Sequence, residues 1–228
     1  IPKRIKEEKP ILHFATHNLL AFSEPILKAM GKRVVFIEVV RHPIYMLIQQ
    51  TLNQINLAAP AGTVRQFHVY IKYNDKQLPY WNSGQEELYL SSNPVERAIY
   101  EMQKLSDLTE SFKREFREDY GGQIVTIPFE RFVLDPWPYM RRLEELLATK
   151  VTSKTRRVMK KQNVPREKIS DGIPLDIYKR CGWEPPGKEL NGRQEMDKRR
   201  QYAVDQGANK EAMDVLDRIC LEYKEKYI

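Results

Sequence analysis

The sequence predicts an α/β fold with a mainly parallel sheet. Short apolar segments at 10–16, 33–40 and 123–129 alternate with segments of helical periodicity, an order typical of parallel strands joined by helical crossovers. The segment 33–40, RVVFIEVV, is rich in β-branched residues and almost continuously apolar. That composition is expected of a central strand covered on both faces.

The first third of the chain supplies two strand–helix pairs. The segment 10–16 predicts a strand, and a short helix follows it, with Ser23 as N-cap and Gly31 just past its end. The strand 33–40 then leads into a helix that Pro43 opens. Apolar residues of this helix are spaced for one buried face, namely Tyr45, Leu47, Ile48, Leu52 and Ile55.

The middle of the chain differs in character. Residues 64–84 alternate apolar and polar side chains around Asn74-Asp75, which predicts a hairpin or an extended excursion over the sheet. The clearest helix covers 93–122, with Asn93 as N-cap, Glu96 three positions later and Gly121 as its stop.

The rest of the chain predicts one more strand–helix pair and a helical tail. The strand is 123–129 and the helix 135–148, capped by Asp135. We expect a single domain over 1–228, with a basic loop region at 150–192 and a helical tail at 193–228. The tail carries one apolar stripe, formed by Met213, Leu216, Ile219, Cys220 and Tyr223.

Composition narrows the classes of partner. The chain has 228 residues, and 38 Lys and Arg against 31 Asp and Glu give a net charge of +7, which favours a nucleotide, a sulfated or phosphorylated compound, or nucleic acid. Its two cysteines have neither metal-ligand nor disulfide-framework spacing, so we expect no metal. No apolar run reaches the ~18 residues of a membrane span. We expect a cytoplasmic protein; the Golgi lumen or another compartment stays open if upstream sequence was removed.

Arg41 is the first candidate binding residue. It directly follows the strand 33–40, and Pro43 opens the next helix. Ligands of open α/β sheets bind beyond the carboxyl ends of the strands, and a helix start also attracts anions. An anion is therefore one partner that fits Arg41; a nearby carboxylate is the structural alternative, and the pattern weighs the two equally.

His17 is the candidate catalytic residue. It ends the segment FATHN, and if 10–16 and 33–40 are neighbouring parallel strands, His17 and Arg41 open onto the same sheet edge. A histidine with a pKa near neutrality can take a proton from a hydroxyl group. An ordinary surface or core histidine is the alternative.

Three segments in order resemble the nucleotide-dependent sulfotransferases. They are FATH, VVRHP and IPFERFVLDPWPYMRRLEELL, and the resemblance covers residues 10–148. It implies a three-layer α/β sandwich of the P-loop-kinase type. It also implies sulfuryl transfer from 3′-phosphoadenosine 5′-phosphosulfate (PAPS) to a hydroxyl or amine, with His17 as the base and Arg41 on the 3′-phosphate.

The chain also departs from the family pattern. Gln49 stands where the family has a serine that binds the same phosphate, so the resemblance implies Gln49 as a ligand through its amide. The segment YKRCGW is the nearest match to the family's late nucleotide-binding loop; it implies Lys179, Arg180 and Gly182 as cofactor-binding residues, with a basic surface turn as the alternative.

The family's phosphate loop has no counterpart in the chain. No Gly-rich Lys-Ser/Thr loop occurs among the 228 residues. We expect it upstream of Ile1; a degenerate relative that lacks the loop is the alternative. Without its lysine, these residues alone should be a poor catalyst.

Acceptor and function class stay open at this point. The basic balance suggests an acidic acceptor such as a polysaccharide. The aromatic residues of the hairpin region either stack on sugar rings or belong to the core; they are Tyr70, Tyr73, Tyr80 and Trp81. A non-catalytic scaffold on the same fold is one alternative function. A nucleic-acid-binding module is the other, because the stretch 141–168 is strongly basic.

Overall fold

The computed structural model describes residues 20–57, 69–172 and 189–228, together with Glu7, His13 and Ala15. Within these residues the chain is a helix-rich α/β structure. Its helices are α1 (Glu24–Met30), α2 (Pro43–Leu57), α3 (Glu86–Ser91), α4 (Pro94–Glu115), α5 (Arg117–Tyr120), α6 (Phe129–Leu134), α7 (Trp137–Leu146), α8 (Ser153–Lys161), α9 (Gly192–Asp205) and α10 (Lys210–Tyr227). Its strands are β1 (Phe36–Val40), β2 (Tyr70–Tyr73), β3 (Lys76–Pro79) and β4 (Ile124–Pro128).

Two strands from distant parts of the chain pair in parallel, as predicted. Phe36 of β1 lies opposite Ile124 of β4, and Val40 lies opposite Pro128. The carboxyl ends of both strands therefore meet at one edge of the sheet. The predicted strand at 10–16 lies outside the described residues apart from His13 and Ala15.

The prediction that β1 is covered on both faces is wrong for the described part of the chain. Ile37 and Val39 are 41% and 60% exposed. The opposite face is covered, because Glu38 pairs with Lys113 of α4 and accepts a hydrogen bond from Thr126 of β4. Apolar composition predicted burial, but helices pack over only one side of β1 here.

The predicted hairpin is confirmed. Strands β2 and β3 pair antiparallel, with Tyr70 opposite Pro79. Asn74 and Asp75 join them with φ angles of 46° and 63°. Two left-handed residues fit the twist of a two-residue hairpin turn, and Asn and Asp tolerate that conformation better than most residues.

The main core lies between α2, α4, α9 and α10. The predicted stripe of α10 is buried at Met213, Leu216, Ile219 and Tyr223. The predicted face of α2 is wrong at its C-terminal end, because Ile55 is 45% exposed while Thr51 and Gln54 are buried. Both polar side chains are hydrogen-bonded, Thr51 to the Leu47 carbonyl and Gln54 to Glu101, and this makes their burial tolerable.

The cap of α4 is confirmed and its end is not. The Asn93 side chain accepts from the N–H groups of Val95 and Glu96, and Glu96 accepts from the Asn93 N–H. The helix ends at Glu115 rather than at Gly121. The break at Phe116 packs that ring into a second apolar cluster with Leu20, Leu27 and Phe112.

The region 150–192 is not entirely loop. Helix α8 forms there at Ser153–Lys161, capped by Thr152, whose side chain accepts from the Thr155 N–H. This corrects the predicted loop region over that stretch. The stretch was interpreted as loop because it is strongly basic, and the cap at Thr152 and the helix after it were not recognised.

Candidate anion site at the carboxyl edge of the parallel sheet

The parallel register brings two chain segments together at one sheet edge. Val40 lies opposite Pro128, so Arg41 and His42 follow β1 beside Phe129 and Glu130, which follow β4. Helix α2 starts at Pro43 at the same edge. Arg41 therefore occupies the strand-end, helix-start position that the sequence predicted for it.

The Glu130 carboxylate joins three elements at this edge. It is 2% exposed and accepts the His42 backbone N–H at 3.2 Å through each oxygen. It also accepts the Tyr223 hydroxyl of α10 at 2.6 Å. Burial and the bond to Glu130 raise the pKa of Tyr223, so the phenol stays a neutral donor.

Of the two partners that the sequence left open for Arg41, the structure shows the carboxylate, and the anion stays a prediction. Its Nε lies 3.8 Å from Glu130 Oε1, which is too long for a direct hydrogen bond. Its side chain is 34% exposed, and its Cζ lies 4.8 Å from the centroid of the Phe129 ring. The guanidinium is thus steadied by a carboxylate and a ring while part of it faces solvent.

Arg166 is a second cation on the same ring, and the sequence reasoning missed it. Its Cζ lies 5.6 Å from the Phe129 centroid, and it donates from Nε to the Asn163 carbonyl and from Nη1 to the Ile169 carbonyl. A Cβ at Gly172 would lie 3.1 Å from Nη1, so glycine permits this close approach. The only sequence signal was its place in the basic stretch, which fits solvated charge equally well.

His42 is a structural residue within the RHP segment. It is 1% exposed, its Nδ1 accepts the Ile44 N–H at 3.3 Å, and its ring meets Tyr45 and Tyr223 edge-on. Burial, with a smaller contribution from Lys224, lowers the pKa of His42 to about 4. The ring is therefore neutral near pH 7 and adds no charge to the site.

The described structure does not test the roles of the remaining candidate residues. Gln49 is half-buried on α2, and within the described residues its side chain makes no hydrogen bond. Outside those residues lie the catalytic candidate and the late-loop candidates, His17, Lys179, Arg180 and Gly182. Their roles stay predictions.

A separate polar cluster lies between α2 and α4. Gln54 donates a hydrogen bond to the Glu101 carboxylate. Burial raises the pKa of Glu101 to about 7, against smaller lowering contributions from Trp81 and Gln54. The Trp81 side chain is half-buried beside this carboxylate, whereas Tyr70 of the hairpin is 39% exposed.

The described residues contain neither a membrane-spanning helix nor a cluster of metal ligands. No helix there is long and apolar enough to cross a membrane. No cluster of three or more His, Cys, Asp or Glu side chains suited to a metal ion occurs there either.

Comparisons with protein-family models, with curated proteins and with solved structures each find no match to this chain.

Proposed function

We propose that the chain is a PAPS-dependent sulfotransferase of the three-layer, P-loop-kinase-like type. The observation that supports this best is the setting of Arg41. It follows a parallel strand, precedes the start of α2, keeps a third of its side chain exposed and is held against Phe129. A guanidinium fixed in this way suits a phosphate that accepts two parallel N–H bonds.

In the proposed reaction an acceptor oxygen attacks the sulfur of PAPS. The bond from sulfur to the bridging oxygen breaks, and 3′-phosphoadenosine 5′-phosphate leaves with the electron pair. His17 takes the acceptor proton, and Arg41 holds the 3′-phosphate. Gln49, Lys179, Arg180 and Gly182 complete the nucleotide contacts by resemblance, and the acceptor is a hydroxyl compound such as a saccharide.

Glu130 would orient Arg41 without neutralising the exposed part of the guanidinium. Its oxygens already accept from the His42 N–H and the Tyr223 hydroxyl, so its charge is shared between these two donors and the more distant Arg41 guanidinium. An incoming phosphate would meet Arg41 from the solvent side, where a charge-assisted bond does not require breaking these contacts.

A non-catalytic scaffold is the second candidate, and the same carboxylate favours it. Arg41 lies within ion-pair distance of a buried acid, and an arginine can occupy a strand end for that reason alone. In that case the nucleotide would not bind, and Arg41 would matter to stability only.

The test is transfer of labelled sulfuryl from PAPS to a panel of phenols, alcohols and saccharides. Because no Gly-rich Lys-Ser/Thr loop occurs in the chain, we expect slow transfer. His17→Ala and Arg41→Gln should each lower it by about tenfold or more, and Arg131→Gln, an exposed neighbour on α6, should not. Transfer that is absent, or equal in all four proteins, would overturn the proposal.

A further inference from the structure

A solvent-open cleft lies between α7 and α8, away from the residues assigned above. It has a volume of about 310 Å³ and is lined by Trp137 of α7, by Arg156, Met159 and Lys160 of α8, and by the turn at 163–165. This is at the small end of ligand-binding clefts, which run from about 300 to 1,000 Å³. Its polar lining consists of two cations and the Asn163 amide.

Helix α8 is the most one-sidedly charged helix among those described. Its sequence SKTRRVMKK contains no acid, and none occurs from 151 to 166. At about 100° per residue its cations cover a continuous arc of about 160°; they are Lys154, Arg156, Arg157, Lys160 and Lys161. All five are exposed.

The five cations of α8 have no acidic partner among the described residues. Within that part of the chain, none of them lies within 4.0 Å of a carboxylate. Several surface cations on other helices do have such partners, as in the pairs Lys28–Glu24, Arg200–Asp217 and Lys210–Asp214. Like charges on neighbouring turns destabilise an isolated helix, so an anionic partner would relieve a repulsion that the chain itself leaves in place.

Two of the cleft's polar groups are held in position. The Arg156 Cζ lies 4.8 Å from the centroid of the Trp137 ring, which orients the planar fork of its donors. Lys160 follows one turn later on the same side, about 6 Å along the axis. The Asn163 Nδ2 donates to the Asp171 carbonyl, and this leaves its side-chain oxygen able to accept from a hydroxyl.

The cleft is linked to the sheet edge through adjacent residues. Pro165 lines the cleft, and the next residue, Arg166, contacts the Phe129 ring that Arg41 also contacts. A polyanion bound in the cleft would therefore lie one residue away from a cation that shares a ring with Arg41.

We propose that the cleft binds an acidic polysaccharide through carboxylate or sulfate groups on Arg156 and Lys160. The Asn163 side-chain oxygen accepts a hydrogen bond from a hydroxyl of the same sugar. Calling this polysaccharide the acceptor rests on the proposed function; its binding in the cleft does not.

The same features disfavour nucleic acid. Arg156 covers the Trp137 ring, so no open aromatic face is offered to a base. Helix α8 has nine residues and is about 13 Å long, and it ends in a cleft rather than standing free to enter a groove.

The experiment is calorimetric titration of the 228-residue chain, without nucleotide, by a heparin hexasaccharide. Maltohexaose serves as the neutral sugar and a short single-stranded DNA as the competing polyanion. The variant Arg156→Gln/Lys160→Gln is compared with Lys28→Gln/Lys210→Gln, which removes the same charge from exposed sites on α1 and α10. We expect the cleft variant to bind heparin about tenfold or more weakly, the control to stay within about twofold, and maltohexaose to bind too weakly to measure.

Three results would overturn the inference. They are absence of heparin binding, equal loss in both double variants, and tighter binding of DNA that depends on the same two cations. Binding of 3′-phosphoadenosine 5′-phosphate is measured on the same proteins. If the unaltered chain does not bind this nucleotide, the proposed function is overturned. The cleft would then still be a polysaccharide-binding site, but not the acceptor site of a sulfotransferase.

Discussion

At the sheet edge, Glu130 is a charged residue that is almost fully buried, which is costly unless its oxygens are well bonded. Its partners come from positions far apart in the sequence: the His42 N–H is 88 residues away and the Tyr223 hydroxyl 93. Removing one donor would leave a buried charge less well solvated. The stability of this edge therefore depends on a few polar contacts as well as on apolar packing.

Tyr223→Phe should destabilise the protein by about 1–3 kcal/mol. The substitution removes the 2.6 Å bond to Glu130 and leaves a buried charged acceptor with one donor fewer. The measurement is urea unfolding, and Tyr227→Phe, one turn later on α10, is the control because no hydrogen bond of its hydroxyl is seen in the described residues. Equal effects of the two substitutions would contradict the role given to Glu130.

The pH dependence of stability should contain two opposing contributions. His42 has a pKa of about 4 in the folded protein against an ordinary 6.5. Between these values the unfolded chain holds more protons on this group, so stability rises with pH. Glu101 has a pKa of about 7 against an ordinary 4.5. In that window the folded protein holds the proton, so stability falls as pH rises.

Glu101→Gln should remove the falling contribution and leave the rise due to His42. Relative to the unaltered protein, the variant should gain about 2 kcal/mol between pH 4.5 and 7. Any hydrogen bond lost with the carboxylate shifts the whole curve without changing this slope. Urea unfolding across that range measures it, with the exposed Glu118→Gln as control. A stability difference that does not change with pH would count against a buried, neutral Glu101.

The site was predictable where it depends on local sequence. The position of Arg41 between a strand and a helix could be predicted because the strand segment RVVFIEVV directly precedes it and the helix-opening Pro43 closely follows it. The surroundings of Arg41 were not predictable. Glu130 reaches Arg41 only through the pairing of β1 with β4, and Arg166 reaches the Phe129 ring only through the fold of the basic stretch. Neither follows from a local pattern.

Among the elements, helix caps were the most predictable feature, and the side of a helix that is buried was the least predictable. The Asn93–Glu96 box spans four residues and forms as the sequence indicates. The buried side of α2 was misjudged because Thr51 and Gln54 enter the core with hydrogen-bond partners that only tertiary structure supplies. Helix α8 was missed because only two of its nine residues, Val158 and Met159, are apolar and five are cations.

Asn93→Ala should cost more stability than Asn191→Ala, although both residues cap a helix in the same way. Each side chain accepts from the helix start, and a cap is worth about 1 kcal/mol. Asn93 also donates to the Gly207 carbonyl between α9 and α10. The expected excess is about 1 kcal/mol, measured by urea unfolding, and equal losses would show that the link to Gly207 contributes nothing.

At the scale of the whole molecule, the net charge of +7 is unevenly spread. Some cations of α1, α9 and α10 have carboxylate partners, whereas the five cations of α8 have none within the described residues. The sequence predicted an anionic partner from the net charge and from the basic stretch 141–168. It did not predict which cations are paired, because pairing depends on which helices pack together.

The most direct test of the account is a binding cycle at Arg41. Calorimetry compares 3′-phosphoadenosine 5′-phosphate with adenosine 5′-phosphate, which lacks the 3′-phosphate, on the unaltered chain and on Arg41→Gln. Arg131→Gln is the matched control. We predict that the unaltered chain and the control prefer the bisphosphate by about tenfold or more and that Arg41→Gln loses this preference. A preference that is absent from the unaltered chain, or that survives in Arg41→Gln, would contradict the account.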